Sequence, residues 1–202
     1  VIWTQTLKGT AFDLLDPDPK LIDFKEIAEQ LARINRYAGG SEKPISVAQH
    51  TLIAMDAAEP GDRAAVALHD AHEAYIGDLP APAIQALHAS IDEIYGAEAA
   101  AAMKSSLGYL KDRLDAVIFT AAGLPLPALV DGQPTRIRRA DLVALVTERR
   151  DFLAAKPRDW APEIEAVKPL PKKYRFKSHL DVADELYAAF KTCLPALRHS
   201  GA

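Results

Sequence analysis

The chain has 202 residues, 49% of them hydrophobic and 26% charged, with a formal net charge of -4. That is ordinary globular composition, enough for one domain with a sizeable core. It gives no electrostatic case for a long nucleic acid or an acidic membrane, although one local basic pocket suffices for a small anion. The single cysteine, Cys193, excludes an intrachain disulfide and fits a reducing compartment, so a cytoplasmic location is expected. No apolar run approaches a membrane span, and Val1 to Thr10 lacks the basic start and apolar core of a signal peptide.

Trp3 to Leu15 alternates loosely around Gly9 and predicts a short hairpin, followed by a rigid turn at Asp16-Pro17-Asp18-Pro19. Phe24, Ile27, Leu31 and Ile34 form a helical stripe within Phe24 to Tyr37, broken by Gly39-Gly40. A second helix opens at Pro44 or Ser46 and carries Val47, His50, Ile53 and Ala54. A third starts near Asp62, a plausible N-cap, and runs through Ala67 to Tyr75. Pro82 to Gly123 is alanine-rich and helical, with breaks expected at Gly96 and Gly108. A further helix covers Thr135 to Ala154 with Ile137, Leu142, Leu145 and Val146 inward, Val167 to Phe176 reads as extended, and Ser178 to Phe190 is a last amphipathic helix. The reading is all-α with minor β decoration near the N-terminus. It is one domain over residues 1–202, its core at about 22–150 and the C-terminal helix packing back on it.

The chemistry concentrates in Ala67-Leu68-His69-Asp70-Ala71-His72-Glu73-Ala74-Tyr75-Ile76-Gly77-Asp78-Leu79-Pro80. On a helix, Asp70 and Glu73 stand one turn apart and His69 and Glu73 share a face. A His-Asp pair cannot hold a metal alone, but His50 and Asp141 are available as outside partners. Two imidazoles and two carboxylates from three helices suit one divalent transition metal (Mn, Co, Fe, Ni or Zn) with positions left open. Glu73 and Asp78 are the remaining carboxylates of this run and its acid/base candidates. Arg36 is the phosphate candidate, its guanidinium matched to two phosphate oxygens, with Arg33 one turn earlier as its rival.

The set His50, His69-Asp70, Asp141 resembles the signature of the HD-domain metal-dependent phosphohydrolases. Ile34-Asn35-Arg36-Tyr37, Ser46-Val47-Ala48-Gln49-His50-Thr51, the extension Glu73-Ala74-x-x-Gly77-Asp78-Leu79-Pro80 and Arg139-Ala140-Asp141 look like the branch containing 5'-deoxynucleotidases and their bacterial and phage relatives. The matching stretches follow that family's order over roughly Ile22 to Arg150. The resemblance implies an HD-domain helical bundle and a metal held by His50, His69, Asp70 and Asp141. It implies functional roles for Glu73 and Asp78, phosphate contact by Arg36, and Tyr37 near the sugar or base. The implied activity is 5'-nucleotidase action on deoxynucleoside monophosphates. A deoxynucleoside triphosphate triphosphohydrolase is the alternative, and a nucleotide-sensing binding module with little hydrolysis is a rival from another class. Relatives of that branch form dimers, and the alanine-rich helices of Pro82 to Gly123 offer spare apolar surface, so a homodimer is expected.

Other residues read differently. His72 points away from His69 on a helix and is expected partly exposed or behind the ligands. His88, His179 and His199 lack partners, so the site is expected to hold one metal ion. The branch often has Glu before the first ligand histidine. Here it is Gln49, which removes a charge from behind that histidine. Arg136, Arg138 and Arg139 read as a solvated helix face. Ala97 to Leu110 carries no recognisable motif, and substrate discrimination is expected there.

Overall fold

A computed structural model describes residues 2–127 and 135–198. The N-terminal hairpin pairs β1 (Trp3–Gln5) with β2 (Ala11–Asp13), turning through Gly9 at a φ of 87°. Everything else regular is helical, which makes the fold all-α with a small hairpin. The hairpin is fastened to the bundle by Phe12, whose ring stacks on Tyr75 with centroids 4.1 Å apart.

Helix α1 (Phe24–Leu31) starts at Asp23, whose carboxylate accepts from the backbone N–H groups of Lys25 and Glu26. It buries Phe24, Ile27, Ala28 and Leu31. It ends earlier than the apolar stripe suggests. The backbone instead leaves to form an isolated antiparallel bridge between Asn35 and Ser46, with the N–H of Arg36 bonded to the carbonyl of Ile45. A tight 3-10 turn over Arg36–Gly39 follows, holding Tyr37 (φ 57°) and Ala38 (φ 51°) in the left-handed region. Non-glycine residues there cost of order 1–3 kcal/mol each and persist only where surroundings impose them.

Helix α2 (Val47–Ala57) is capped by Ser46, whose hydroxyl accepts from the N–H of Gln49. It is buried nearly all round, as a central helix should be, and packs against α1, α7 (Thr135–Phe152), α9 (His179–Cys193) and α3 (Arg63–Leu68). Helix α9, its N-terminus capped by Ser178, packs on α1, α2 and α3.

Four departures from the sequence reading matter. The expected continuous helix over Ala67 to Tyr75 is two pieces, α3 and α4 (Glu73–Ile76), joined by turns at His69 to His72. Backbone bonds there run three residues back, Ala71 to Leu68, Glu73 to Asp70 and Tyr75 to His72, a tighter winding than the α-helix. Asp62 stands at the N-cap of α3 but makes no capping bond. Gly96, at φ 88°, separates α5 (Ala81–Tyr95) from α6 (Ala97–Ala122) as expected, yet α6 runs straight through Gly108. One interior glycine costs only about 1 kcal/mol, which a helix of this length carries. In α7 the buried face is Ala140, Ala144, Val146, Thr147 and Glu148, while Leu142 and Leu145 are half-buried. Helix α5 packs chiefly on α6 and has no buried residue. Its Leu87, Ile94 and Tyr95 are exposed. Among the described residues no helix is long and apolar enough to cross a membrane. His199 lies outside the described residues.

Candidate metal centre

The four predicted ligands meet at the junction of α2, the α3–α4 turn and α7. His50 is fully buried on α2, and its Nε2 lies 3.2 Å from His69 Nε2, 3.2 Å from Asp141 Oδ1 and 3.5 Å from Asp70 Oδ2. His69 Nε2 is 3.2 Å from Asp70 Oδ2. His50, His69 and Asp141 each offer one ligand atom within 4.8 Å of the others, while Asp70 Oδ2 lies beside both imidazoles without joining that mutually close set. Two nitrogens and one carboxylate close together, a second carboxylate at their edge and the histidine N–H groups committed elsewhere form a donor set that fits a borderline divalent cation. His69 Nδ1 donates to the carbonyl of Val66 at 2.7 Å, which leaves Nε2 free to ligate.

The sequence reading missed Glu148. This fully buried carboxylate accepts from His50 Nδ1, from Arg36 Nε at 3.0 Å and from the Tyr37 hydroxyl at 2.7 Å. It thereby aims the His50 lone pair at the cluster, as carboxylates behind metal-binding histidines do. It also holds Arg36 and accounts for the strained backbone at Tyr37, whose phenol it captures. The expectation that Gln49 thins the charge behind His50 is corrected on the same ground. The Gln49 amide donates to the carbonyl of Arg175 at 2.7 Å, and the charge behind His50 comes from α7. A signal was present: Glu148 lies two turns after Asp141, on an inward stripe.

Electrostatics divides the site. Burial and the nearby Arg36 favour neutral His50, but Glu148 and Asp141 outweigh both and raise its pKa to about 10 in the metal-free protein. Burial raises Asp70, yet His69, His50 and Arg36 hold it well below the usual carboxylate range. Glu73, one tight turn away, moves oppositely. Burial first, then the charges of Asp70 and Asp78, push it up to about 9. Its Oε2 is buried and has no hydrogen-bond partner among the described residues. Neighbouring carboxyls driven apart in proton affinity are a recurrent acid/base arrangement. Asp78, in the loop after α4, is half-buried and also raised, chiefly by desolvation.

Arg36 does not end a helix, so stabilisation by a helix dipole plays no part in its placement. It lines a cleft of about 490 Å³ with Tyr37, Asp78 and Asp141. Its rival Arg33 lines a separate cleft beside Lys177 and His179. His72 is 5% exposed, against the expectation of partial exposure, with Nδ1 bonded to Asp115 of α6 at 2.9 Å. Arg136, Arg138 and Arg139 are exposed, and none of them lines the cleft. Nor does any residue of Ala97 to Leu110, where discrimination was expected. The apolar lining comes instead from Leu145, Trp160, Ala161 and Ile164, with Pro80, Ala81 and Pro82.

Two known chains are similar to this one in sequence. Uncharacterized protein RCAP_rcc00048 of Rhodobacter capsulatus is 33% identical over 153 residues, covering 70% of this chain and 68% of the relative. Uncharacterized protein YfdR of Escherichia coli K12 is 31% identical over 150 residues, covering 73% and 71%. The chain belongs to the YfdR family. No protein-family model matches this YfdR-family chain.

Glu148→Gln keeps the shape of the side chain and removes its charge. It is expected to weaken divalent-metal affinity about 10–100-fold in a calorimetric titration. Glu148→Ala is expected to cost about 3–5 kcal/mol of stability as well, because the mostly buried Arg36 loses its hydrogen-bonded carboxylate and keeps only Asp70 at 3.8 Å. Unchanged affinity in Glu148→Gln would remove Glu148 from its role behind His50.

Proposed function

We propose that the chain is a metal-dependent phosphohydrolase of the HD-domain type, a 5'-nucleotidase acting on deoxynucleoside monophosphates. The observation that carries this reading is the convergence of His50, His69, Asp70 and Asp141 beside a cleft that also contains Arg36 and Asp78. A bound divalent ion would supply Lewis-acid charge at the phosphoryl group and acidify nearby water.

The chain's own residues do the rest. Arg36 Nε is committed to Glu148 and Nη1 stands 3.8 Å from Asp70 Oδ2, beyond hydrogen-bond reach, so the terminal nitrogens can turn to phosphate oxygens, where charge grows during displacement. Glu73 would take the proton of the attacking water as a carboxylate, its proton released once a bound cation offsets the charges of Asp70 and Asp78 that hold it on in the metal-free protein. Asp78, on the cleft wall, delivers a proton to the leaving alkoxide or holds the sugar hydroxyl. Burial of His50 and Glu73 excludes bulk water from the inner side of the site.

The test is product analysis after incubating the protein with each deoxynucleoside mono- and triphosphate, supplemented in turn with Mn, Co, Ni, Fe and Zn ions. Metal-dependent release of inorganic phosphate from monophosphates is the expected result, lost in Arg36→Lys because a point charge cannot serve Glu148 and phosphate together. Release of triphosphate would replace the nucleotidase reading by a triphosphohydrolase. Nucleotide binding with neither product would overturn the enzyme reading in favour of a sensor.

A further inference from the structure

The cleft beside the metal cluster is lined by two unlike sets of residues. One is Arg36, Asp78 and Asp141, the other Leu145, Trp160 and Ile164, with Gln85 of α5 beside them. Its volume, about 490 Å³, lies in the range of small-molecule sites. We propose that the Trp160 lining is a nucleobase subsite, in which a purine or pyrimidine ring lies against the indole while the phosphate is held at Arg36. The proposal rests on the nucleotidase reading only for where the phosphate sits.

Trp160 is held as a platform rather than left as a loose surface aromatic. Its backbone N–H donates to Glu165 Oε1 at 2.9 Å. The same Glu165, on α8 (Pro162–Glu165), accepts from Arg149 at 2.7 and 3.3 Å and from Lys156 at 2.8 Å. The Arg149 guanidinium stands 4.9 Å from the indole centroid. One ring face is therefore occupied by Arg149, and the indole meets the cleft with its remaining surface. A ring fixed in advance loses little freedom when a ligand stacks on it, which is where preorganised aromatic sites gain affinity. Leu145 and Ile164 supply apolar contact around it. The Gln85 side chain, exposed and without a hydrogen-bond partner among the described residues, offers one donor and one acceptor to a base edge. Stacking accepts any base, so this subsite selects nucleotides over other phosphate esters more strongly than it selects among bases.

Trp3 and Trp160 are the only tryptophans, and Trp3 lies exposed on β1. In a Trp3→Phe protein kept in chelator, Trp160 fluorescence should be quenched by deoxynucleoside monophosphates and by deoxynucleosides, but not by deoxyribose 5-phosphate. In the metal-loaded enzyme, Trp160→Ala should raise KM for nucleotides roughly tenfold or more. Hydrolysis of deoxyribose 5-phosphate should stay within about twofold, and Trp160→Phe should restore most of the loss. Quenching without phosphate release would keep the subsite and sink the nucleotidase reading. Phosphate release with no quenching and an unchanged nucleotide KM in Trp160→Ala would overturn the subsite and leave the nucleotidase standing. If Trp160→Ala fails to fold, the fluorescence titration of the Trp3→Phe protein decides alone.

Discussion

Asp70→Ala is expected to empty the site of divalent metal and reduce hydrolysis to background. Asp70 Oδ2 is the atom that approaches both imidazoles and Arg36, at 3.5, 3.2 and 3.8 Å. Removing it takes one anionic donor from the cluster and leaves Arg36 facing Glu148 alone. The remaining His50, His69 and Asp141 supply one anionic donor where the intact set has two, too little charge to hold a divalent cation tightly. Elemental analysis of the purified variant reads this directly. Stoichiometric metal retained by Asp70→Ala would show that the ligand assignment is wrong.

Glu73→Gln should separate catalysis from stability. The substitution keeps the side chain's volume and removes the group proposed to accept the water's proton, so turnover should fall about a hundredfold or more while metal is retained. Stability should move the other way in the metal-free protein. A carboxyl whose pKa rises on folding, from an ordinary value to about 9, holds its proton more tightly folded than unfolded. Its effect on stability is therefore neutral in acid and grows unfavourable as pH climbs from about 4.5 toward 9. Glutamine escapes that penalty. In chelator at pH 8, Glu73→Gln should be more stable than the parent by about 1–2 kcal/mol, a melting temperature higher by roughly 2–8 °C. The gap should close near pH 5. A variant that loses its metal would make Glu73 a ligand. A variant that melts lower at pH 8 would contradict the buried, proton-holding carboxyl.

What the sequence disclosed, and what it withheld, follows from the range of the interactions. Ser46 before Val47 announced α2, and His50 on it was named as a partner the His69-Asp70 pair needs and through the resemblance of the motif set. The hairpin, the Gly96 break and the Ser178 cap are likewise local signals. Arg36 was singled out as a phosphate group but misplaced on a helix. Ile34 continues the apolar stripe, while the bridge from Asn35 to Ser46 that ends the helical path is a nonlocal contact. The tight turns at His69 to His72 were invisible for a related reason. Periodicity cannot separate an α-helix from a short stretch wound one residue tighter. Glu148 escaped notice because an acidic residue within Thr147-Glu148-Arg149-Arg150 reads as solvated until its partners, Arg36, Tyr37 and His50, arrive from two other segments. Trp160 had no periodic context at all, lying just before α8, and only the folded cleft brings it near Asp141.

The most direct test of the account is an anomalous difference map at the manganese edge from crystals of the protein grown with Mn²⁺. One strong peak bonded to His50 Nε2, His69 Nε2 and carboxylate oxygens of Asp70 and Asp141, at about 2.0–2.3 Å, is the predicted result. A map with no peak among these four side chains, or with its strongest peak on other residues, would contradict it.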